Sequence, residues 1–508
     1  MPAHLYDALT ARFPQHDKAF LTTPEGRTIS YRDLEEGSAR IASVLRDLGV
    51  APGDRVAVQV EKSPEAVMLY LACLRSGAVF LPLNTAYTPS EIEYFLRDAE
   101  PKVFVCEPAR RQQLQAASKK ARVAQVETLD ENGAGSLSQK ASSASAKFVN
   151  PMRGPDDLAA ILYTSGTTGR SKGAMLSQEN LASNARTLVD YWRFGPQDVL
   201  LHALPIYHTH GLFVAINTLL MAGGSLIFLP RFDADTVVRL LPKATSMMAV
   251  PTFYTRLLQH PALKPELVRH MRLFTSGSAP LLADTHREWR EKTGHSILER
   301  YGMTETNMNT SNPYDGERIP GAVGFPLPGV SLRIVDAETG DSVSQGEVGM
   351  IEVAGPNVFK GYWRMPEKTA EEFTSDGYFK TGDLGRIDEK GYVYIVGRGK
   401  DLVITGGFNV YPKEVETEID ALPGVIESAV IGVPHPDFGE GVTAVVVRKP
   451  GAKIDEREIS RALDGRLARF KLPKRILFTD TLPRNTMGKV QKNVLRDMYL
   501  DLYKKAAS

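Results

Sequence analysis

The chain has 508 residues, of which 43% are hydrophobic and 24% charged, a composition that excludes disordered, collagen-like and coiled-coil chains. Its 61 basic and 60 acidic residues nearly cancel, so no overall field attracts nucleic acid or an acidic membrane surface. Cys73 and Cys106 are too few for a disulfide framework and lack metal-ligand spacing, which favours buried thiols in a reducing compartment.

The N-terminus predicts no export, because residues 1–20 lack a basic start followed by an apolar core; the cytoplasm is the default. Residues 212–229 form an uncharged run of 18, the length at which a membrane-spanning helix becomes a candidate. Asn217 and the pair Gly223–Gly224 instead favour a buried helix that ends at the glycines, followed by a buried strand. We therefore expect no membrane partner.

Apolar strand-like runs alternate with helical segments up to about residue 400, the pattern of βαβ units. Between residues 55 and 106 the order is strand, helix, strand, helix, strand. The low-complexity segment 133–146 is expected to be an exposed surface loop. From about residue 323, short strands between glycine turns predict a small antiparallel β region, and a shorter α+β unit follows residue 400. The pattern predicts an α/β fold.

The segment YTSGTTGRSKG, residues 163–173, combines three glycines with several hydroxyl side chains and Lys172. Glycines permit tight turns, and successive backbone N–H groups can form an anion-binding nest, so the loop predicts a polyphosphate ligand. It departs from the Walker pattern, which has a lysine directly after the second glycine. A P-loop kinase is therefore disfavoured; a polar surface turn is the alternative, although such turns seldom carry this many donors.

Five segments in order resemble the signatures of the adenylate-forming superfamily of acyl-CoA synthetases, luciferases and peptide-synthetase adenylation domains. They are YTSGTTGRSKG, ERYGMTET (299–306), YFKTGDLG (378–385), GRGKDLVITGGFNVYPKEVE (397–416) and PRNTMGK (483–489). The resemblance covers essentially the whole chain and implies activation of a carboxylic acid by ATP, with coenzyme A as the acyl acceptor. It also implies a large adenylating domain, residues 1–399, and a small mobile domain, residues 400–508, that rotates about Lys400 between the half-reactions.

Adenylation joins two anions, so cations and directed donors must offset their repulsion. By the resemblance, Lys172 and the loop hydroxyls meet the β- and γ-phosphates and Thr304 donates to the α-phosphate. Glu305 is expected to hold Mg²⁺, which prefers hard oxygen ligands; without the motif it would be a solvated loop acid. The expected ATP-binding residues are Thr164, Ser165, Gly166, Thr167, Thr168, Gly169, Lys172, Ser276, Gly277, Ser278, Tyr301, Gly302, Thr304, Asp383 and Arg398.

The ribose and the catalytic lysine come from later motifs. Asp383 can accept both ribose hydroxyls, because one carboxylate has two acceptor oxygens, and Arg398 can bind the same sugar. A lysine in the position of Lys489 enters the active site from the small domain in the resembling family and neutralises charge during adenylation. The pattern around Lys489 also resembles that of acetylated acyl-CoA synthetases, which implies a lysine acetyltransferase and a deacetylase as partners.

For coenzyme A, Gly406 and Gly407 leave room for a narrow pantetheine channel. Phe438 and Phe470 could stack on the adenine of coenzyme A, and Lys474 could meet a phosphate. Core packing and solvation explain these three residues almost as well.

The acid pocket is expected to be lined by the catalytic candidate His208 together with Thr209, Arg231, Met303 and Met308. Residues 304–313 are mostly polar, which fits a short polar acid, and Arg231 could pair with a second carboxylate. The middle third is most similar to malonyl-CoA synthetases, so malonate is the expected acid.

Three alternatives stay open at this point. The acid could be another short or medium carboxylic acid. A monooxygenase or a carrier-loading adenylation domain would share the first half-reaction, and a non-enzymatic ATP-binding module is the outside interpretation. An intact GGFN hairpin, residues 406–409, favours free coenzyme A over a carrier.

Overall fold

The computed structural model describes residues 5–14, 17–164, 171–405, 408–436, 438–464, 466–467, 469–485 and 488–504. These residues form sheets of six, nine, four and five strands. The first three sheets and their helices make a large N-terminal part, and the fourth belongs to a small C-terminal domain. The fold is α/β, as the alternation of strands and helices predicts.

The N-terminal segment builds the six-stranded sheet and the outer hairpin of the nine-stranded one. Its elements are α1 (Leu5–Thr10), β1 (Ala19–Thr22), β2 (Thr28–Ser30), α2 (Tyr31–Asp47), β3 (Arg55–Gln59), α3 (Pro64–Ser76), β4 (Val79–Pro82), α4 (Pro89–Ala99), β5 (Val103–Cys106), α5 (Arg111–Lys120), β6 (Gln125–Thr128), α6 (Ser136–Ser143), β7 (Leu158–Thr164) and β8 (Lys172–Ser177). The six-stranded sheet has the order β6-β5-β3-β4-β7-β8. The expected alternation between residues 55 and 106 is confirmed, and Cys73 and Cys106 are buried free thiols.

The expected surface loop at residues 133–146 is wrong, because this segment contains α6. Its one leucine, Leu137, is fully buried in the core, and Lys140 forms an ion pair with Glu127 at the end of β6. Leu137, with Ala141 and Ala144 packed against the same core, therefore anchors a segment whose composition suggests a loop.

The central segment completes the nine-stranded sheet, β15-β14-β13-β12-β11-β9-β10-β1-β2. Its elements are α7 (Gln178–Tyr191), β9 (Val199–His202), a π-helix (His210–Ile216), α8 (Asn217–Ala222), β10 (Ser225–Phe228), α9 (Ala234–Leu240), β11 (Ser246–Ala249), α10 (Pro251–Leu258), α11 (Pro265–Val268), β12 (Leu273–Ser276), α12 (Ala283–Thr293), β13 (Leu298–Met303), β14 (Asn307–Ser311) and β15 (Phe325–Pro326).

The uncharged run 212–229 lies in the interior, as expected. It forms the rest of the π-helix, then α8, which ends at Gly223 with a left-handed φ of 71°, and then β10. Within the described part of the chain, no helix is long and apolar enough to span a bilayer.

The remaining elements form two smaller sheets. The four-stranded sheet is antiparallel, as predicted, in the order β16-β17-β18-β19, and the five-stranded sheet contains β20 to β24. The elements are β16 (Ser331–Val335), β17 (Gly349–Ala354), α13 (Pro366–Glu372), β18 (Phe379–Ile387), β19 (Val393–Arg398), β20 (Val403–Thr405), β21 (Phe408–Val410), α14 (Pro412–Asp420), β22 (Val425–His435), β23 (Gly439–Arg448), α15 (Glu456–Leu463), β24 (Arg475–Thr479) and α16 (Lys492–Met498).

Candidate active site

The expected phosphate end is built at the β7–β8 hairpin, where Thr164 and Lys172 are register partners. Lys172 is buried, with its Nζ 4.0 Å from the ring centroid of Tyr362 and 3.5 Å from Oε1 of Glu372. Glu305 lies beside them, because its Oε1 accepts hydrogen bonds from the hydroxyls of Tyr362 (3.1 Å) and Thr164 (3.4 Å). Burial raises the pKa of Glu305 above its usual value. The structure thus brings Thr164, Lys172 and Glu305 together.

The rest of the glycine-rich loop, Ser165, Gly166, Thr167, Thr168 and Gly169, lies outside the described residues. Thr304 is half-buried in the turn between β13 and β14. It directly precedes the buried Glu305, so it lies next to the residues of the phosphate end.

The expected ribose end centres on Asp383, which is buried in β18. The hydroxyl of Tyr301 donates to its Oδ2 at 2.6 Å, and Nε of Arg398 contacts its Oδ1 at 2.8 Å. Burial alone would lower the pKa of Arg398, but Asp383, Tyr301, Glu305 and Asp401 together more than compensate, so the pKa is raised. Each carboxylate oxygen has lone pairs beyond these contacts, so Asp383 keeps acceptor capacity for a ligand's hydroxyls.

Lys489 of the small domain lies near Asp383 and Arg398. Its backbone N–H donates to Oδ1 of Asn485 at 2.9 Å, which closes a tight turn. A methyl group added at Gly488 would lie 3.6 Å from the side chain of Thr252 on α10, so this turn lies against the large domain.

The surroundings of Lys489 perturb its charge. The residue keeps access to solvent, yet the protein atoms around its side chain lower its pKa to about 8, aided by Arg398 and opposed by Asp383. This electrostatic coupling to Arg398 and Asp383 places the Lys489 ammonium near the expected ribose end.

The expected hinge lies in a 3₁₀ turn, Gly399–Asp401, between β19 and β20. Lys400 is exposed there, and the next residue, Asp401, accepts an ion pair from Arg496 of α16 at 2.6 Å. The turn is therefore tied to the small domain on its C-terminal side.

The residues expected at the acid pocket divide into two groups. His208 is half-buried, and burial lowers its pKa to about 4. Thr209 and Met308 are buried, and the hydroxyl of Thr209 has no hydrogen-bond partner among the described residues. Met303 is half-buried on β13. These four lie near the start of the π-helix and the β13–β14 hairpin.

Arg231 differs from these four in its exposure, and its expected pairing with a second carboxylate of the acid stays a prediction. Arg231 is exposed, because the neighbouring Phe232 is the side chain that packs inward, stacked on Phe253 with ring centroids 4.0 Å apart. The side chain of Asp233 accepts a hydrogen bond from the N–H of Thr236 and so caps α9. Both contacts fix the segment with Arg231 directed to solvent.

Arg300, which the sequence interpretation missed, is the buried cation of this region. It is 3% exposed, and its Nε and Nη2 have no hydrogen-bond partner among the described residues. Burial lowers its pKa to about 9. A side-chain carbon built on Gly277 would fall 2.2 Å from its Nη1, so the guanidinium lies against the backbone of Gly277. The sequence signal that could have identified Arg300 is a charged residue within a segment that forms a buried strand.

Further unpaired polar groups surround Arg300. Nδ1 of His210 lies 3.2 Å from Oγ of Ser278, while Nε2 of His210 and Oγ of Ser276 are buried without hydrogen-bond partners among the described residues. Ser278 has a φ of 70°, a left-handed conformation that costs energy in a non-glycine residue and occurs most often at functional sites. Buried donors without partners around a buried cation suit a polar, anionic ligand.

The expected coenzyme A residues are only partly brought together. Nζ of Lys474 lies 4.6 Å from the ring centroid of Phe438, which is 38% exposed. Phe470 packs against the core of the small domain, so packing accounts for it. Gly406 and Gly407 lie outside the described residues.

Electrostatic interactions link Lys172 through Glu305 and Arg398 to Asp383 and to Lys489 of the small domain. This fold and this arrangement of residues are those of an adenylate-forming enzyme. The chain belongs to the AMP-binding enzyme family, whose main domain matches residues 8–363 and whose C-terminal domain matches residues 414–489.

Two solved structures and one curated relative are especially similar. The ATP-bound structure of MatB from Rhodopseudomonas palustris is 65% identical and has a TM-score of 0.97 over 99% of this chain and 100% of that one. The apo structure of the same protein, with equal identity and coverage, gives 0.86. The malonate–CoA ligase of Arabidopsis thaliana is 34% identical over 93% of this chain and 85% of its own length. By TM-score, the structure of this chain is therefore more similar to the ATP-bound form of MatB than to the apo form.

Proposed function

We propose that the protein is a malonate:CoA ligase, which converts malonate, ATP and coenzyme A into malonyl-CoA, AMP and pyrophosphate. The observation that carries the proposal is Arg300, a buried cation without a carboxylate partner among the described residues. A monocarboxylic acid would leave this cation unpaired, whereas the far carboxylate of malonate would pair with it. The similarity to a malonate–CoA ligase supports the same acid.

In the first half-reaction, one malonate carboxylate oxygen attacks the α-phosphorus of ATP, and pyrophosphate leaves. Lys172 and Thr164 would meet the departing phosphates, and Lys489 would neutralise charge near the nucleotide. Arg300, with His210 and Ser278, would hold the far carboxylate, so that the near one faces the phosphorus. The half-buried His208, with Thr209, Met303 and Met308, would line the same pocket.

Of the residues expected at the phosphate end, Glu305 is the one that could hold Mg²⁺. Glu305 offers one buried carboxylate beside Lys172, and Mg²⁺ is commonly held by one or two carboxylates together with substrate phosphates. No cluster of three or more metal-ligating side chains occurs among the described residues, so most ligands would come from ATP and water. Bound there, Mg²⁺ would offset the negative charge of the phosphates.

In the second half-reaction, the thiol of coenzyme A attacks the acyl carbon and AMP leaves. We infer that rotation about Lys400 withdraws Lys489 and brings Gly406 and Gly407 to the site. The exposed Phe438 and Lys474 pair could then meet the nucleotide of coenzyme A. These roles, the domain boundary at Lys400 and a cytoplasmic location stay predictions.

Acetylation of Lys489 would regulate the enzyme, because it removes the charge that adenylation uses. The lowered pKa of about 8 and access to solvent favour the neutral, nucleophilic amine that acyl transfer requires. Chemical or enzymatic acetylation should abolish adenylation, and a deacetylase should restore it. Full activity of protein acetylated at Lys489 would contradict this proposal.

The function is tested by pyrophosphate release from ATP across short mono- and dicarboxylic acids, with and without coenzyme A. We expect malonate to be the preferred acid and malonyl-CoA and AMP to form in equal amounts when coenzyme A is present. Preference for butyrate would favour the alternative, a ligase for another short or medium acid. Binding of ATP without turnover of any acid would favour the non-enzymatic module. Such a module would not need a lysine in the position of Lys489, near Asp383 and Arg398.

A further inference from the structure

A buried lysine outside the expected site contacts a histidine of the other large sheet. Lys62 follows β3 of the six-stranded sheet, and His202 is the last residue of β9 in the nine-stranded sheet. Nζ of Lys62 lies 2.7 Å from Nδ1 of His202 and 2.9 Å from its backbone oxygen. It also lies 4.4 Å from the ring centroid of Phe228. In the described part of the chain, no carboxylate forms an ion pair with Lys62.

The hydrogen bonds determine which nitrogen of His202 carries the proton. Nε2 lies 2.8 Å from the carbonyl oxygen of Gly211, and a carbonyl can only accept, so Nε2 must carry the proton. Burial and the neighbouring Lys62 lower the pKa of His202 well below its usual value, which keeps the ring neutral. Nδ1 is then an acceptor, and the amine of Lys62 donates to it.

This chain of hydrogen bonds ends beside the acid pocket. Gly211 is the second residue of the π-helix, and His210, whose Nδ1 contacts Ser278, is the first. Gly211 is also packed tightly, because a side-chain carbon there would lie 2.0 Å from the carbonyl oxygen of Pro205. π-Helical turns are rare and frequently occur at functional sites. The bond from His202 thus fixes the turn that carries His210.

We propose that Lys62 and His202 are positioning residues that orient His210 toward the acid through the carbonyl group of Gly211. The inference rests on the proposed function in that the acid pocket contains His210, Ser278 and Arg300. It gives a role to a buried amine that has no ion-pair partner in the described part of the chain. It also links the sheet that carries the phosphate loop to the sheet that carries the acid pocket.

Two substitutions of His202 separate its two bonds. In His202→Gln the amide N–H can take the position of Nε2 and still donate to Gly211, whereas His202→Asn can accept from Lys62 but cannot reach Gly211. We expect His202→Asn to raise the KM for the acid by roughly tenfold, the scale of one lost hydrogen bond to a buried group. His202→Gln should stay within about threefold of wild type, and the KM for ATP should change in neither.

Lys62→Met removes the donor that fixes the ring and should also raise the KM for the acid without changing that for ATP. An ATP-induced rise in melting temperature identifies the folded variants, and if Lys62→Met does not fold, the pair at His202 decides alone. Equal values of the KM for the acid in His202→Asn and His202→Gln, whether raised or unchanged, would overturn the inference.

The acid for these assays is the one that wild type prefers, so the two proposals can fail separately. A wild type that prefers butyrate contradicts the malonate proposal and leaves the comparison at His202 valid. A wild type that prefers malonate, with no difference between the Asn and Gln variants, contradicts only the positioning role.

Discussion

Replacing Arg300 should convert a dicarboxylate-selective enzyme into one that accepts monocarboxylates. The proposed change is Arg300→Met, which removes the charge and keeps an elongated apolar side chain in the buried space. Arg231→Met is the matched control, because Arg231 is exposed whereas Arg300 is 3% exposed. Both changes remove one arginine, so an effect of net charge alone would be the same in both.

The magnitude follows from burial and from the unpaired guanidinium nitrogens. A hydrogen bond between charged groups contributes about 1.5–3 kcal/mol, which corresponds to roughly a ten- to hundredfold change in a rate or equilibrium constant. Because Nε and Nη2 of Arg300 have no partner among the described residues, the ligand-free protein loses no hydrogen bond from these two nitrogens. We therefore expect kcat/KM for malonate to fall about ten- to hundredfold, without a fall in melting temperature.

The assay is acid-dependent pyrophosphate release with malonate and with butyrate for wild type and both variants. Butyrate should be used equally well or better by Arg300→Met, since an unpaired buried cation no longer opposes its binding. Arg231→Met should keep the wild-type preference. If Arg300→Met retains full preference for malonate while Arg231→Met loses it, Arg231 reads the acid and the assignment to Arg300 is wrong.

Three further predictions concern the lysines of the small domain. Lys489→Ala should lose malonate-dependent pyrophosphate exchange yet still form malonyl-CoA from supplied malonyl-adenylate; equal loss of both steps would contradict a role confined to adenylation. Because the pKa of Lys489 is lowered to about 8, its charge is present below pH 8 and lost above it. kcat/KM for ATP in the exchange assay should therefore fall above pH 8 in wild type but not in Lys489→Arg, and identical profiles would exclude Lys489 as the titrating group. Lys400→Pro should adenylate but fail to form thioester, because proline fixes φ at the hinge; loss of adenylation would refute the hinge.

Much of the fold could be predicted because its signals are local. The βαβ alternation between residues 55 and 106 and the turn at Gly223 depend on the pattern of apolar residues and glycines within one segment. α6 could not be predicted in this way, because it depends on Leu137 finding a place in the core and on Lys140 meeting Glu127. Both contacts are tertiary.

The candidate site likewise divides into residues that sequence motifs predict and residues whose role depends on tertiary contacts. Thr164, Lys172, Glu305, Asp383 and Arg398 lie in motifs, and the structure brings them together. The expected acid pocket depends on which side chains are buried, and the sequence does not show burial directly. Arg231 follows β10 and Arg300 lies within β13, yet only Arg300 is buried. The contact between Lys62 and His202 joins two sheets across 140 residues, so no sequence window contains it.

The route of one oxygen atom tests the central claim most directly. Malonate labelled with ¹⁸O in its carboxylates would be incubated with ATP, coenzyme A and the enzyme, and the label in AMP and pyrophosphate measured by mass spectrometry. Attack of the carboxylate on the α-phosphorus predicts one ¹⁸O atom in each AMP and none in pyrophosphate, together with malonyl-CoA. Unlabelled AMP, or label in released phosphate, would contradict the formation of malonyl-adenylate at this site.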